Sequence, residues 1–241
     1  MTPPPAAPEP APLTWPQGFR FAAGHCGIKR KAPDLMLATM ERPAAAAAVF
    51  TTNRLQAPPV RLSRAHLAAS GGWVRALVVN SGNANCATGA AGRRAALTMA
   101  RAAARWVGCP VEQILVGSTG VIGQPLAVEK IVAALPAWVG KDDTPLAAAH
   151  AIRTTDTCAK VAAAEFRDGG RTYRVAGMAK GSGMIHPRMA TMFGFLFTDA
   201  PLSPAACRAA LHAAVEESCH RITVDGDTST NDTAALFASG A

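Results

Sequence analysis

The stretch that decides the fold is KGSGMIHPRMATMFGFLF, residues 180–197, which joins a glycine-rich turn to a run of apolar and aromatic residues. Glycine reaches backbone dihedrals that are closed to other residues, so residues 180–183 are predicted to form an unusual turn. Pro187 prevents a helix from running through the segment. A strand is therefore predicted to begin at Thr191 or Met192, and it is too apolar to lie at the edge of a sheet.

Strand and helix patterns alternate around this stretch, so the sequence predicts an α/β fold with mixed elements. Strands are predicted within four segments, residues 48–60, 75–89, 109–123 and 173–185. Helices are predicted over three segments, residues 90–107, 124–139 and 203–222. After an acidic, hydroxyl-rich loop that includes residues 225–232, the last residues are predicted to start another helix.

Apolar stripes on the helices predict which of their faces are buried. The last helix has the clearest start, because Ser203 is a favourable N-cap and Pro204 suits the first helical position. The side chains predicted to be buried are Leu97, Ala100, Ala104 and Val107, then Leu126, Ile131 and Leu135, and finally Leu211, Ala214, Val215 and Ile222.

Composition limits the classes of function. The chain has 241 residues and a formal net charge of +8, and such a basic protein can bind nucleic acid, membrane surfaces or anionic ligands. No aromatic residues interleave with Arg93, Arg94, Arg101 and Arg105. Nucleic-acid binding is therefore not predicted, whereas an anionic small molecule is compatible with the charge. No stretch is long and apolar enough to span a bilayer, so no membrane association is predicted.

The six cysteines show neither a CxxC pair nor a regular spacing, so neither a disulfide framework nor a metal site is predicted. They are expected to be reduced thiols of a cytoplasmic protein. Residues 1–16 are rich in proline and alanine and are predicted to form a flexible, extended tail. This tail has neither the basic region nor the apolar block of a signal or transit peptide.

Two segments look like ligand-binding loops but lack the residues that such loops require. The segment DGDTSTND, which starts at residue 225, looks like an EF-hand calcium loop. That loop needs Gly at its sixth position and Glu at its twelfth, but this chain has Thr230 and Leu236 there. GSTGVIG, residues 117–123, matches neither GxGxxG nor the lysine-containing P-loop, and it predicts a tight turn. Its backbone N–H groups could still face a developing negative charge. No metal ion and no cofactor are predicted.

The Ala190-Thr191 pair of the opening stretch has two interpretations. The residues alone favour an ordinary connection in which Thr191 is the first residue of a strand. In the alternative, the Thr191 hydroxyl attacks the uncrowded Ala190 carbonyl, an N-to-O acyl shift gives an ester, and water cleaves it. Thr191 would then carry both a nucleophile and a base, its α-amino group, whose pKa is about 7.7–8.0 in reference peptides.

The segment KGSGMIHPRMATMF resembles the KGSGMIxPxMATM signature of the ornithine acetyltransferase family, the bifunctional glutamate N-acetyltransferases of arginine biosynthesis. Six further segments resemble family blocks in the family's order, namely GFRFAAGHCGIK, AVFTTNRLQAPPV, VVNSGNANCATG, LVGSTGVIG, RTTDT and RITVDGDTSTNDT. This resemblance implies a layered sandwich of β-sheets flanked by helices, of the ornithine acetyltransferase and N-terminal-nucleophile aminopeptidase type.

The resemblance also implies an enzyme that cuts itself between Ala190 and Thr191. The freed Thr191 would take an acetyl group from N2-acetyl-L-ornithine as a covalent ester and pass it to L-glutamate. Acetyl-CoA is a second donor that the family resemblance leaves open. Residues 17–190 would form the α-subunit region, and residues 191–241 would form the start of the β-subunit region. Two cleaved pairs would assemble into a heterotetramer.

Four further residues match functional positions of the family. Thr119 and Gly120 match the oxyanion-hole pair, in which the loss of one donor typically raises the barrier by about 3–4 kcal/mol. Lys180 and Thr157 match substrate-binding positions, as Thr191 does, and the ammonium of a lysine suits a substrate carboxylate. The family chain continues past the last residues here, so its later substrate contacts have no counterpart to assign.

Two rival functions are compatible with the same residues. The first is an N-terminal-nucleophile amidohydrolase or aminopeptidase, although those relatives tend to use serine where this chain has Thr191. The second is an inactive remnant that serves as an assembly subunit. His186 and Arg188 depart from the usual family residues beside Pro187, and Arg188 is expected to face solvent, while no role is assigned to His186.

Overall fold

Eight strands form one sheet in the computed structural model, which describes residues 14–186 and 192–241. They are β1 (Phe19–Gly24), β2 (Leu35–Phe50), β3 (Trp73–Asn83), β4 (Ile114–Val121), β5 (Lys160–Asp168), β6 (Arg171–Lys180), β7 (Phe193–Thr198) and β8 (Thr233–Ala238). The order across the sheet is β4-β3-β2-β8-β7-β6-β5, and β1 pairs with the first part of β2. The β3–β4 and β7–β8 pairs are parallel and the others are antiparallel.

Helices flank this mixed sheet, which confirms the predicted α/β class. Those in the described part of the chain are α1 (Pro58–Ala69), α2 (Gly89–Val107), α3 (Val128–Ala134), α4 (Pro145–Ala151) and α5 (Pro204–Glu217). Successive side chains of β2 point to opposite faces of the sheet. Leu37 faces the core under α2 and α3, and Ala47 faces α5, while Ala38 and Ala46 face the core under α4.

Strand β7 lies in the interior of the sheet, between β6 and β8, as its apolar sequence predicted. Phe193, Phe195 and Phe197 project to the α4 face and are at most 2% exposed. Phe197 stacks on Phe237 of β8 with ring centroids 5.4 Å apart. Burial of one such side chain contributes roughly 1.5–3 kcal/mol, so these rings anchor the middle of the sheet.

The two edge strands of the sheet differ in how well they are covered. Helix α1 covers the β4 edge, where the Ser63 hydroxyl accepts the Val116 N–H and donates to the Val116 carbonyl, both at 2.8 Å. His66 hydrogen-bonds the Ile114 carbonyl through Nδ1 at 2.8 Å. The β5 edge is open, and Phe166 there is 45% exposed. Polar side chains of a helix therefore satisfy the backbone groups of one edge strand, whereas β5 is left exposed.

The prediction of a helix start after residues 225–232 is wrong, because this segment forms strand β8. Alanine favours helix when a segment is considered alone. Here, however, β8 pairs with β7 on one side and with β2 on the other, and all six of its residues are buried. Long-range pairing therefore overrides a weak local propensity, and small side chains fit the close packing against α5.

Other boundaries also differ from the predictions. The helix predicted over 124–139 is regular only in α3, because Pro136 changes the following turn to a 3₁₀-helix at Leu135–Ala137. The segment 117–123 was predicted to be a turn, but β4 continues through Val121. The segment 48–60, which was predicted to contain a strand, holds the end of β2 and then leads into α1, whose first turn begins with two prolines.

Most of the predicted core positions are buried. Leu126, Ile131 and Leu135 are buried, as are Ala100, Ala104, Leu211 and Val215, whereas Leu97 and Val107 are half-buried. The prediction is wrong for Ala214 and Ile222, which are exposed. Helix α5 ends at Glu217, before Ile222, and its buried face consists of Cys207, Leu211 and Val215. Ser203 is the predicted N-cap, and its hydroxyl accepts the Ala206 N–H at 3.1 Å.

The predicted tail, residues 1–16, lies mostly outside the described residues, which begin at residue 14. Trp15 packs edge-on against Phe21, with ring centroids 5.4 Å apart, and so joins the core under α4. All six cysteines are free thiols. Within the described ranges, no helix has the length and apolar character needed to cross a membrane.

Candidate functional site

Thr119 and Gly120 lie near the end of β4, where it runs parallel to β3. Gly120 has φ +134°, and a Cβ at this position would approach the Gly82 carbonyl carbon to 2.3 Å. Only glycine fits this close contact between two strand ends. Thr119 is 7% exposed, so its hydroxyl is shielded from bulk solvent next to that glycine.

Lys180 ends β6 and is only 4% exposed. Its Nζ donates to the Thr119 Oγ1 at 3.0 Å and lies 5.9 Å from the centroid of the Phe193 ring. Desolvation lowers the pKa of Lys180, while the carboxylates of Asp156 and Asp232 act in the opposite direction. An ammonium in such surroundings attracts an anion more strongly than a lysine in water does.

A buried carboxylate, Asp156, holds the turn that follows Lys180. Its Oδ1 accepts the Gly181 N–H at 2.7 Å and also accepts a hydrogen bond from Lys160 Nζ. Burial alone would raise the pKa of Asp156, but these two donors, together with the charges of Lys160 and Lys180, lower it below its ordinary value. Asp156 thereby links the loop after α4 to the glycine-rich turn, two segments that carry the RTTDT and KGSG motifs.

A second buried carboxylate, Asp34, organises the loop between β1 and β2. Its oxygens accept the N–H groups of Cys26 at 2.6 Å, Gly27 at 3.1 Å and Lys29 at 2.8 Å. The resulting turn directs the Lys29 side chain towards β3 and the loop after α4, where Nζ donates to the Arg153 carbonyl at 2.6 Å. This loop therefore brings a second lysine to the same region as Lys180.

Two aspartates bind backbone N–H groups of described residues that precede and follow the predicted scission bond. Asp225 accepts the N–H groups of Met184 at 2.6 Å and Ile185 at 3.0 Å, before the segment. Asp232, which is 1% exposed, accepts the Met192 N–H at 2.7 Å, after it. Ala190 and Thr191 themselves lie outside the described residues, so their predicted roles stay predictions.

One cavity of about 470 Å³ brings three of the predicted site residues together, Thr119, Gly120 and Lys180. Thr157 is exposed on the loop before β5 and is not among the lining residues, so its predicted substrate contact stays untested. The other lining residues are Lys29, Gly82, Ala84, Val121, Ile122, Thr154, Thr155, Gly183, Met184, Ser229, Thr230 and Asn231.

Several of these residues were not found by sequence reasoning. Lys29, Thr154 and Thr155 lie in GFRFAAGHCGIK and RTTDT, two segments that resemble family blocks, but no role was assigned to them. Asn231 donates to the carbonyls of Ala84 at 2.7 Å and of Ser118 at 2.8 Å, and so ties the cavity wall together. The sequence did offer one indication for Asn231, because this residue lies in the run of polar residues DGDTSTND.

The arrangement suits acyl transfer to or from an anionic molecule. Thr119 and Gly120 are adjacent residues of the cavity wall, the arrangement that a hydroxyl and backbone N–H pair needs to stabilise an oxyanion, and a buried ammonium lies 3.0 Å from the Thr119 hydroxyl. Cys26 is not a competing nucleophile, because burial and, next, the charge of Asp34 raise the pKa of its thiol to about 12. A nucleophile has to come from another residue.

A larger cavity, of about 590 Å³, lies on the other face of the sheet, between α5 and strands β5, β6 and β7. Alanine, valine and methionine side chains make up most of its wall. None of Thr119, Gly120 and Lys180 lines this cavity, and it lacks the paired hydroxyl and ammonium of the smaller one. Size alone therefore does not identify the reaction site.

Known sequences and structures that resemble this chain indicate the family to which it belongs. The sequence model of the ArgJ family matches residues 20–241. The chain belongs to the ArgJ family. The arginine biosynthesis bifunctional protein ArgJ of Chlorobaculum tepidum is 51% identical over 242 residues, which cover 100% of this chain and 60% of that protein. The protein of the same name from Shouchella clausii is 48% identical, over 93% of this chain and 55% of its own length. The chain thus spans little more than half the length of these ArgJ relatives.

Solved structures agree with this assignment to the ArgJ family. The crystal structure of arginine biosynthesis bifunctional protein ArgJ from Bacillus halodurans has a TM-score of 0.66 and 38% identity, and covers 73% of this chain and 92% of its own. Ornithine acetyltransferase from Mycobacterium tuberculosis, complexed with ornithine, has a TM-score of 0.62 and 34% identity, with 73% and 93% covered. An L-aminopeptidase D-Ala-esterase/amidase from Ochrobactrum anthropi, a variant of the Ntn-hydrolase fold, has a TM-score of 0.57 at 14% identity, covers 93% of this chain and 72% of its own, and shows the fold alone.

Proposed function

We propose that this chain carries the acyl-transfer centre of a self-cleaving acetyltransferase of arginine biosynthesis. The enzyme moves an acetyl group from N2-acetyl-L-ornithine to L-glutamate through an acetyl-Thr191 intermediate, and acetyl-CoA is a second candidate donor. The observation that carries the proposal is the meeting of Thr119, Gly120 and Lys180 in one cavity, with Lys180 Nζ 3.0 Å from Thr119 Oγ1. These residues come from sequence blocks that are far apart in the chain.

Chain lengths among the relatives support scission. The Bacillus halodurans chain is matched over 92% of its length by 73% of this chain, so that crystallised chain is shorter than the present 241 residues. The Chlorobaculum tepidum protein, in contrast, is matched over only 60% of its length and is longer. A family whose proteins are long but whose crystallised chains are short is compatible with a precursor that is divided into two products.

The first reaction is the scission itself. The Thr191 hydroxyl attacks the Ala190 carbonyl, the C–N bond breaks as the nitrogen takes up the proton, and an ester forms. Water then hydrolyses the ester, which leaves a new carboxylate on Ala190 and a free α-amino group on Thr191. Asp225 and Asp232 support the reaction by fixing Ile185 and Met192, on the two sides of the bond. Fixing the residues on the two sides of a bond favours the orientation that an intramolecular attack requires.

The second reaction is the transfer. The α-amino group of Thr191 takes the proton of the hydroxyl, whose oxygen attacks the acetyl carbonyl of N2-acetyl-L-ornithine. Thr119 and Gly120 stabilise the oxyanion, and the proton passes to the departing amine of ornithine. The amine of glutamate then attacks the acetyl ester, loses a proton, and leaves as N-acetylglutamate with the Thr191 hydroxyl restored.

Lys180 has a further task in this transfer, because it determines how the Thr119 hydroxyl points. Its Nζ donates to Thr119 Oγ1, so one lone pair of that oxygen is occupied and its own hydrogen is directed elsewhere. The hydroxyl is thereby kept as a donor, which is the role that an oxyanion requires. The remaining N–H bonds of Lys180 are available to a substrate carboxylate.

Two rival functions stay open. The match to the aminopeptidase of the Ntn-hydrolase fold covers 93% of this chain, which keeps plain amide hydrolysis as the first rival. An inactive assembly subunit is the second rival, and the experiment below separates it from an enzyme. The heterotetramer of two cleaved pairs is part of the proposal, as is the cytoplasmic location.

Intact-mass spectrometry tests the proposal directly. The purified chain is stored at neutral pH, with and without N2-acetyl-L-ornithine, next to the Thr191→Ala variant. We expect two products that meet at residues 190 and 191, and an added acetyl group on the product that begins with Thr191. Thr172→Ala is the matched control, because Thr172 is an exposed threonine of β6.

The alternatives give different results in the same experiment. Addition of glutamate yields N-acetylglutamate from a transferase, whereas a hydrolase releases acetate whether glutamate is present or not. A chain that stays uncut and carries no acetyl group indicates the assembly subunit. The proposal is overturned if Thr191→Ala leaves both scission and acetyl transfer as they are in the Thr172→Ala control.

A further inference from the structure

Two ammonium groups face the cavity that holds Thr119 and Gly120. Lys180 reaches it from the end of β6, and Lys29 reaches it from the loop between β1 and β2. Among the described residues that line the cavity, none is an aspartate or a glutamate. The described lining therefore carries positive charge only, which favours a negatively charged ligand, while the carboxylates of Asp156 and Asp232 act on Lys180 from outside the lining.

Several contacts fix Lys29 in this position. Its backbone N–H donates to Asp34 at 2.8 Å, and its Nζ donates to the carbonyls of Pro33 at 2.9 Å and of Arg153 at 2.6 Å. Its stem lies against Gly82, where a Cβ would come within 2.8 Å of the Lys29 Cγ. A side chain at residue 82 would displace Lys29, so the glycine at the end of β3 makes room for it.

The two carbonyl contacts leave one of the three N–H bonds of the Lys29 ammonium for a ligand. Desolvation lowers the pKa of Lys29, and the nearby charges of Arg153 and Lys180 act in the same direction, while those of Asp34 and Asp156 oppose them. Lys29 and Lys180 line the same cavity, so their like charges act against each other there. An anion that bridges them relieves this repulsion.

We propose that Lys29 is a second carboxylate-binding residue of the cavity, so that Lys29 and Lys180 each bind one carboxylate of a dicarboxylic amino acid. A cavity of about 470 Å³ accommodates a single ligand of that size. This inference rests on the proposed function, which supplies glutamate as the dicarboxylic acceptor. Lys29 thereby becomes a specificity residue for the acceptor step.

The donor differs from the acceptor in the group that would meet Lys29. N2-acetyl-L-ornithine has one carboxylate and a distal ammonium, whereas glutamate has two carboxylates. Lys29 attracts the second carboxylate of glutamate and repels the ammonium of the donor. A purely structural role for Lys29, through Pro33 and Arg153, would instead affect both substrates alike.

Calorimetric titration with glutarate, a dicarboxylate without an amine, tests the site without depending on catalysis. The variants are Lys29→Met and Lys29→Gln, and the second keeps an N–H donor for the carbonyl contacts if the first does not fold. Lys31→Met is the matched control, since Lys31 is an exposed lysine of the same loop. Loss of a charge-assisted hydrogen bond predicts glutarate binding that is roughly tenfold to hundredfold weaker.

A monocarboxylate of the same chain length, pentanoate, should bind the wild type and the Lys29→Gln variant alike. In kinetic assays, the variant should raise the KM for glutamate by roughly tenfold or more while the KM for N2-acetyl-L-ornithine is unchanged or lower. Absence of glutarate binding to the wild type overturns the inference, as does equal binding to the Lys29 variants and to Lys31→Met. Absence of acetyl transfer with glutarate binding that depends on Lys29 overturns only the proposed function.

Discussion

Asp34 and Asp156 both have fully buried carboxylates, yet their surroundings differ. Asp34 accepts three backbone N–H groups from its own loop, so both of its oxygens are used. Asp156 uses only Oδ1, for Gly181 and Lys160, and its Oδ2 has no hydrogen-bond partner in the part of the chain that the structure describes. The carboxylate of Asp34 closes a loop, whereas that of Asp156 joins two segments and keeps one oxygen that can still accept a hydrogen bond.

This difference indicates that Asp34 has a structural role at the cavity, whereas Asp156 also affects its electrostatics. Asp34 acts on the cavity only through the backbone it shapes, which delivers Lys29. Asp156 acts through its charge as well, because its carboxylate raises the pKa of Lys180 against the effect of desolvation. Buried carboxylates with unused acceptor capacity are costly unless other groups compensate, so they are worth testing where they border a reaction site.

The largest effect is expected for Asp34→Asn. The amide offers one acceptor oxygen instead of two and turns N–H groups towards the donors of Cys26, Gly27 and Lys29. We expect the free energy of unfolding to fall by about 3–5 kcal/mol, measured by urea unfolding followed by circular dichroism. A loss below about 1 kcal/mol would contradict the structural role given to Asp34.

A smaller effect is expected for Asp156→Asn. The amide oxygen can still accept the Gly181 N–H, and the amide nitrogen can take the side on which no described residue is bound. The ion pair with Lys160 is lost, but that lysine is 43% exposed and the pair is screened by solvent. We expect a loss of about 1–2 kcal/mol in the same urea assay. A loss as large as that of Asp34→Asn would remove the distinction between the two carboxylates.

The pH dependence of stability sharpens the comparison. The pKa of Asp156 is lowered from its ordinary value of 3.8, so the carboxylate binds protons less readily in the folded chain than in the unfolded one. Its stabilisation is therefore complete above the ordinary pKa and is lost as the pH falls through the lowered value. Unfolding of the wild type and of Asp156→Asn between pH 6 and about pH 3 should show their difference shrinking at the acid end. A constant difference over this range would show that the charge of Asp156 contributes nothing.

The smallest effect is expected at the surface. Glu41 pairs with Arg20 at 3.4 Å, and the side chains of both are about half exposed. Glu41→Gln makes the same carboxylate-to-amide change as the two variants above, without burial, and should change the free energy of unfolding by less than about 0.5 kcal/mol. A larger change would mean that the urea assay does not separate buried carboxylates from exposed ones.

The parts of the fold that the sequence predicted are those with strong local signals. Ser203 and Pro204 mark the start of α5, and the aromatic run from Phe193 marks an interior strand. Helix α2 was predicted within a residue of its observed start. Strand β8 was missed because its six residues carry no local strand signal, and only the pairing with β2 and β7 determines their state.

The candidate site divides in the same way. Thr119, Gly120 and Lys180 were predicted from a resemblance, and the fold brings them together. Lys29 was missed because the contact that aims it joins residues 29 and 153, which are distant in the sequence. The carboxylate of Asp34 binds backbone N–H groups of its own loop, so a local sequence pattern could have predicted its role. A single aspartate beside a proline, however, is compatible with many kinds of turn.

The position of β7 and β8 has a consequence for assembly. Both strands follow Thr191 in the chain and so belong to the C-terminal product of the proposed scission, whereas their neighbours β2 and β6 belong to the N-terminal product. Without β7 and β8, the N-terminal product would keep two separate blocks of strands, β1 to β4 and β5 to β6. We therefore expect the two products to stay associated on dilution, because backbone pairing of β8 with β2 and of β7 with β6 joins them.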